Sequence, residues 1–304
     1  MKAFVKRSLA RMGLEVRRIP SELSVDAFTE YIPGEKPFTE AYRRTKWSFI
    51  ERVIADPSLM SRFATGAQLP ERFGLGLDER CVEHPWLFAN LIKGPEPLLD
   101  AGSAFNHSVI IDNPFLHGKN LHILTLTPES NCFWKRTVSY IYADLRDIPI
   151  RDCFCNSIVC ASTLEHVGCD NTLITGNDAH REHQPDDFRI AIRELQRVLK
   201  PHGTLLITVP FGAYRDFGVF QQFDRHLLCC AIEAFGGTRP AGETFYRYNS
   251  DGWNIATPSE CATCEYVDWA AALWQGKPLP EPLPKQPDLA VAARAVACIK
   301  LTKE

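Results

Sequence analysis

Between about Glu96 and Val209 the chain alternates short apolar, β-branched runs with turn residues and helical patterns, and this alternation constrains the fold most. The runs are Pro97–Asp100, Leu121–Leu126, Val138–Ala143, Ser157–Ala161 and Thr204–Val209. β-Branched runs bounded by turns and separated by helices indicate βαβ units and a parallel sheet. The stretch Phe188–Leu199 carries Ile192, Leu195, Val198 and Leu199 on one helical stripe, and Pro201-His202-Gly203 breaks it. The predicted architecture is a doubly wound, mostly parallel α/β sheet. A late run, Ala295–Leu301, is expected to close a sheet edge.

Upstream of Glu96 the texture is different. Thr39–Ile54 reads as a helix with Tyr42, Trp47, Phe49, Ile50 and Val53, stopped by Pro57. Residues 20–40 carry Pro20, Pro33, Gly34 and Pro37 and look like a linker or wrapping loop. Leu69–Leu91 is turn-rich and aromatic and is expected to form a lid or cap. The predicted division is therefore a helical cap or substrate region over 1–95 and an α/β core over 96–304.

The first 20 residues hold six Lys and Arg against one Glu, although the whole chain has a net charge of −3. Val5, Leu9, Met12 and Val16 form one helical stripe there. Residues 1–18 thus suit peripheral contact with an anionic membrane face, or docking on their own domain. No run approaches the roughly 18 apolar residues a spanning helix needs. The mild negative charge points away from nucleic acid as a partner. The eleven cysteines are odd in number, and Cys160 sits inside an apolar run. With no apolar leader at the N-terminus, the chain reads as cytoplasmic with mostly buried thiols. Cys261-x-x-Cys264 lacks a clean second pair, and Cys229-Cys230 is too compact for a usual zinc set.

In an open parallel sheet, ligands sit beyond the carboxyl ends of the strands. Those ends here are Asp100 to His107, Thr127-Pro128-Glu129, Asp144 to Asp147, Ser162 to His166, and Pro210-Phe211-Gly212. The set is acidic. A dinucleotide fingerprint needs Gly-x-Gly-x-x-Gly, but the chain reads Gly102-x-Ala104-x-x-His107. A nicotinamide oxidoreductase, the rival enzyme class, would need those missing glycines. An acidic rim instead suits a cationic ligand with ribose hydroxyls and no phosphate, and S-adenosyl-L-methionine is such a ligand.

The ordered set Leu98-Leu99-Asp100-Ala101-Gly102, Asp144-Leu145-Arg146-Asp147-Ile148-Pro149, Ser162-Thr163-Leu164-Glu165-His166-Val167 and Glu194-Leu195-x-Arg197-Val198-Leu199-Lys200-Pro201-x-Gly203 resembles class I S-adenosylmethionine-dependent methyltransferases of the methyltransferase type 11 kind. Leu69 to Arg80, Glu83-His84-Pro85-Trp86 and Ala293 to Cys298 further resemble uncharacterised proteins of bacterial polysaccharide gene clusters. The resemblance implies a Rossmann-like methyltransferase sheet. It places the methionine part of the cofactor on the turn at Asp100, Ala101 and Gly102, completed by Ser103, Asn106 and His107. It gives Glu129 the ribose diol and Asp144 the adenine amino group, with the Leu145 backbone beside it. Ser162 to His166, Leu164 included, would line the methyl-bearing side.

The loop departs from the family pattern at Ala104 and Asn106, where glycines are usual; Asn106 tolerates positive φ and is expected to substitute for one. The acceptor implied is a small molecule or glycan, through a hydroxyl of a sugar or polysaccharide precursor. An alcohol acceptor needs a base during attack. His166 is the first candidate, ahead of His107, His180, His183 and Tyr214. Glu165 and His166 with His226 resemble part of a metal set in some RNA-modifying relatives, but Ser162 stands where that pattern has a further Glu; no metal is assigned. The acceptor is expected between Tyr42, Trp47 and Trp86 and the segment Phe211–Asp224. The rival without chemistry is a cofactor-free interaction scaffold on the same fold.

Overall fold

The computed structural model describes residues 31–32, 39–237, 240–267 and 291–304, so the basic stripe of residues 1–18 lies outside the described residues. Three helices open the described chain: α1 (Glu40–Ala55), α2 (Pro57–Thr65) and α3 (Arg80–Asn90). Thr39 caps α1 by accepting from the Tyr42 N–H at 3.2 Å. Pro57, expected only to stop that helix, opens the next one. Its missing N–H costs nothing at a first helical position, and Asp56 caps α2 through the N–H groups of Ser58 and Leu59.

The strands are β1 (Pro97–Ala101), β2 (Asn120–Thr125), β3 (Ser139–Tyr142), β4 (Cys155–Ala161), β5 (Leu199–Pro210), β6 (Arg215–Asp216), β7 (Gln221–Gln222), β8 (Gly242–Asn249), β9 (Gly252–Ala256) and β10 (Ala295–Thr302). Eight of them form one sheet in the order β3-β2-β1-β4-β5-β10-β8-β9. The first five are parallel, and β10, β8 and β9 are added antiparallel. The pair β6 and β7 makes a separate small hairpin. The predicted break at Pro201-His202-Gly203 is a register shift within β5, with His202 left-handed at φ 61°.

The expectation for the last run is corrected. β10 does not close the edge; it bonds β5 on one side and β8 on the other. The hairpin of β8 and β9 takes the edge instead.

Successive residues of a strand point to opposite faces, and the core splits accordingly. Leu98, Leu121, Ile123, Val159, Leu206, Val296 and Cys298 face one core with Tyr42, Ile50, Phe63, Trp86, Phe88 and Trp253. Leu99, Leu124, Ile158, Cys160, Leu205, Ile207 and Ile299 face the other, against α4 (Phe188–Val198) and α5 (Arg225–Ala234). The segment 69–91, expected as a lid, is core: Phe73, Leu77, Cys81, Val82, Trp86, Leu87 and Phe88 are all buried. Burial of each large side chain contributes about 1.5–3 kcal/mol. The segment is pinned to the edge hairpin, where Trp253 Nε1 donates to the Leu77 carbonyl and the Gly76 N–H donates to the Tyr248 hydroxyl, both at 2.9 Å.

The strand order reverses at β1, which has β2 on one side and β4 on the other. That switch point opens a crevice at the carboxyl ends of the strands. Among the described residues no helix is long and apolar enough to cross a membrane. All eleven cysteines are unpaired, Cys261 and Cys264 among them.

Candidate cofactor site

The loop after β1 is built around two acids at different depths. Asp100 is fully buried. Its Oδ1 accepts from the Ala104 N–H at 3.1 Å and its Oδ2 from the Phe105 N–H at 2.8 Å. Burial pushes its carboxyl up to about 7, against the pull of those two N–H groups. Asp100 therefore closes the loop from within. The other acid, Glu129, stands at the surface beyond β2 and accepts from the Ser103 hydroxyl and, at 2.8 Å, from Asn106 Nδ2.

The expected left-handed residue is corrected. Gly102 (φ 109°) and Ser103 (φ 65°) take positive φ, whereas Asn106 does not. Asn106 is needed for its amide. Nδ2 also donates to the Asn131 carbonyl, and Oδ1 accepts from the Tyr140 hydroxyl at 2.8 Å. Gly102 is demanded twice over, because a Cβ there would lie 1.9 Å from Thr163 Oγ1. The β1 and β4 loops thus meet without a gap.

Over these loops lies a cavity of about 230 Å³. Following the strand order, its floor and walls come from Asp144, Leu145 and Arg146 after β3, Thr125 and Glu129 after β2, Gly102 and Ser103 after β1, and Ser162, Thr163 and His166 after β4. Asn171, Ile174, His180 and Glu182 supply a further wall. Eight of the candidate site residues named from the sequence line this one space: Gly102, Ser103, Glu129, Asp144, Leu145, Ser162, His166 and His180. Asp100 and Asn106 stand behind it, holding the loop and Glu129. Ala101 and Leu164, expected at the cofactor, are instead fully buried in the core between the sheet, α4 and α5, because their side chains fall on that face.

Arg146, named in the sequence only as part of the strand end, proves to have a role of its own. Its guanidinium grips Asp144 through Nε at 3.1 Å and a terminal nitrogen at 2.7 Å, and also reaches Glu182 at 2.6 Å and Asp187 at 2.8 Å. Burial pushes the Asp144 carboxyl up, but the Arg146 hydrogen bonds and charge prevail and hold it below its usual range. The Asp144-x-Arg146 spacing carried the signal for half of this link; nothing in the sequence pointed to Glu182. His180 also lines the cavity, with its Nδ1 buried and without a hydrogen-bond partner.

His166 sits on a single 3₁₀ turn, Leu164–His166. Its Nδ1 lies 2.8 Å from the Val219 carbonyl, which fixes that nitrogen as the donor and leaves Nε2 as the acceptor. Burial lowers its pKa, so the ring is neutral near pH 7. Of the other candidates, His180 shares the cavity and the rest stand elsewhere. His107 packs on Trp47 at 4.2 Å between centroids with the rings tilted by 39°, and burial pushes it down to about 3. His183 is an exposed side chain 3.8 Å from Asp216. Glu165, next to His166, is buried with Oε2 lacking a partner, and burial pushes it up to about 8. His226 packs against Cys230 instead, and among the described residues no group of three His, Cys, Asp or Glu is placed to hold a metal.

The cap side of the expected acceptor wall is corrected as well: Trp47 packs against His84 and His107. Tyr42 and Trp86 are buried, and the Tyr42 hydroxyl accepts from the Asp78 N–H; neither offers a face to a ligand. On the far side, Phe217 and Phe220 stack at 4.5 Å beside His166, and Tyr266 packs on both. Phe211, Gly212, Tyr214, Asp224 and His226 line a separate depression.

Residues 119–207 match the family model described as a methyltransferase domain, a span that covers β2 to β5. No curated protein matches the chain in sequence. Among solved structures, the chain is similar to the 1,6-didemethyltoxoflavin-N1-methyltransferase of Burkholderia thailandensis, which carries bound 1,6-didemethyltoxoflavin and S-adenosylhomocysteine. Identity is 13%, coverage 89% of this chain and 93% of that one, and the TM-score 0.40. It is also similar to a methyltransferase of Thermotoga maritima described as a possible histamine N-methyltransferase, at 14% identity, 85% and 100% coverage and a TM-score of 0.41.

Proposed function

We propose that the cavity over β1 to β4 binds S-adenosyl-L-methionine and that the chain transfers its methyl group to a hydroxyl of a small-molecule or glycan acceptor, such as a sugar or polysaccharide precursor. One observation carries the reading: Glu129 and Asp144, from the tips of neighbouring strands, share a single cavity with His166. The match of residues 119–207 to a methyltransferase domain supports it. The donor set fits the cofactor. Glu129 accepts from Ser103 and Asn106 yet keeps lone pairs for two ribose hydroxyls. Asp144 and the Leu145 backbone stand together at the β3 end for the adenine. When bound, the cofactor supplies an electrophilic methyl group on a sulfonium.

The chain's own part is alignment and proton transfer, and much of the rate of a displacement comes from alignment. His166 Nε2 takes the hydroxyl proton of the acceptor, while Val219 holds the ring in the tautomer that leaves this nitrogen bare. The aromatic cluster of Phe217, Phe220 and Tyr266 borders His166 and offers apolar faces on the acceptor side.

Calorimetric titration with S-adenosylhomocysteine tests the cofactor. Micromolar binding that weakens about tenfold or more in Glu129→Ala is expected; folded protein that takes up no heat of binding overturns the reading. Incubating labelled cofactor with extracts of the source cell, then identifying the labelled product, tests the acceptor. A labelled protein or amine in place of a sugar hydroxyl overturns that part alone.

A further inference from the structure

We propose that Glu83, on helix α3 and outside every strand loop, turns Ser162 into an obligate hydrogen-bond acceptor for the cationic amino-acid end of the cofactor. The inference rests on the cofactor reading above and adds a positioning residue to it. Glu83 is fully buried. Its Oε1 accepts from the Ser162 hydroxyl at 2.6 Å and from the Thr208 hydroxyl at 2.7 Å, and its Oε2 from Arg80 at 2.6 Å. A serine hydroxyl has one proton to give and two lone pairs. Glu83 takes the proton, so Ser162, which lines the cavity, has only lone pairs left to offer there. Its partner in the cavity must be a donor, and a cation is the best one.

Two further observations agree. Ser162 is held at φ 41°, a region that costs a non-glycine residue and persists only where the surroundings impose it. The Ser162 N–H is tied to the Thr208 carbonyl at 2.9 Å and its hydroxyl to Glu83, so both ends of the residue are held. The strand order also fixes which end of the cofactor meets Ser162. With Asp144 at the β3 end and Glu129 next to it, the nucleoside occupies the β3–β2 side. The amino-acid end falls on the β1–β4 side, where Ser162 faces Gly102 and Ser103.

Titrating S-adenosylhomocysteine and 5′-methylthioadenosine side by side tests the proposal, since the second ligand keeps the nucleoside and sulfur but lacks the amino-acid part. In Ser162→Ala and Glu83→Gln, affinity for S-adenosylhomocysteine should fall about tenfold to a hundredfold, while that for 5′-methylthioadenosine stays the same. Ser162→Gly, which relieves the backbone but also lacks the hydroxyl, should behave like Ser162→Ala. If Glu83→Gln does not fold, the two Ser162 variants decide. Equal losses for both ligands, or no loss for either, overturn the proposal while leaving cofactor binding intact. Wild-type protein that binds neither ligand overturns the cofactor reading and this inference together.

Discussion

At the level of single residues, the site depends on backbone positions that tolerate nothing larger. Gly102 combines φ 109° with a neighbour, Thr163, that occupies the place of any Cβ. Gly102→Ala should therefore cost about 2–4 kcal/mol, the sum of an unfavourable φ and overpacking, read from urea unfolding. A variant as stable as the parent would mean that the two loops do not meet as described. His166 makes a different demand. Its lowered pKa keeps Nε2 bare at pH values where an ordinary imidazole, near about 6.5, would be protonated. Methyl transfer should thus persist further into acid than a free histidine allows. His166→Gln should slow it by about 10²–10⁴-fold, with S-adenosylhomocysteine affinity little changed. Full activity in that variant would assign the proton to another base.

Among the elements, the wall over residues 171–187 is attached to the sheet through Arg146, which joins Asp144 at the end of β3 to Glu182 and Asp187. These groups are only partly buried, so the link contributes about 1 kcal/mol rather than the large figure its contacts suggest. Arg146→Gln should speed amide exchange in 171–187 and shorten the residence time of S-adenosylhomocysteine, leaving exchange in β1 and β4 unaltered. Unchanged exchange would show that the wall is held by other contacts. The difference between what was legible in the sequence and what was not follows the same distinction between local and distant contacts. Strands β1, β2, β4 and β5 were readable because their apolar runs declare burial, and the half-exposed edge strand β3 because its aromatic and β-branched residues favour a strand. Helix α2 was hidden because Pro57 reads equally as a stop and as a first residue, and α3 because Pro85 and the preceding Gly74 and Gly76 suggested turns. The hairpin of β8 and β9 was missed because Glu243 and Arg247 dilute its apolar pattern. At the site, strand-end acids could be named but not aimed. Nothing local separates Asp100, which points into its loop, from Glu129, which stands at the cavity. The contacts Glu83 to Ser162 and Arg146 to Glu182 join residues 79 and 36 apart, a distance at which sequence spacing says nothing.

Across the whole molecule, the buried ionisable groups set an unusual dependence of stability on pH. Burial pushes Asp100 up to about 7 and Glu165 up to about 8, and it raises Glu79 as well. Between the ordinary carboxyl range near about 4 and these raised values, the folded chain holds protons that the unfolded chain has released. Stability must then fall as pH rises through that window. The histidines work in the opposite sense. Burial lowers His84, His107, His122 and His166, so below about pH 6.5 the unfolded chain takes up protons that the folded one refuses, and stability is lost as pH falls. The two trends oppose each other in mild acid; above about pH 6.5 the carboxyls act, joined toward pH 8.5 by buried thiols such as Cys81, Cys160 and Cys298, which burial also raises. The unfolding free energy should peak near neutrality and drop by roughly 1–3 kcal/mol between pH 6.5 and 8.5. Glu165→Gln keeps the shape of the protonated acid and cannot ionise, so it should be close to neutral at pH 6.5 and more stable than the parent at pH 8.5. Urea unfolding at the two pH values measures both. A parent protein equally stable at each, or a Glu165→Gln variant that loses as much as the parent on going to pH 8.5, would show that Glu165 is not the buried proton carrier that its surroundings make it.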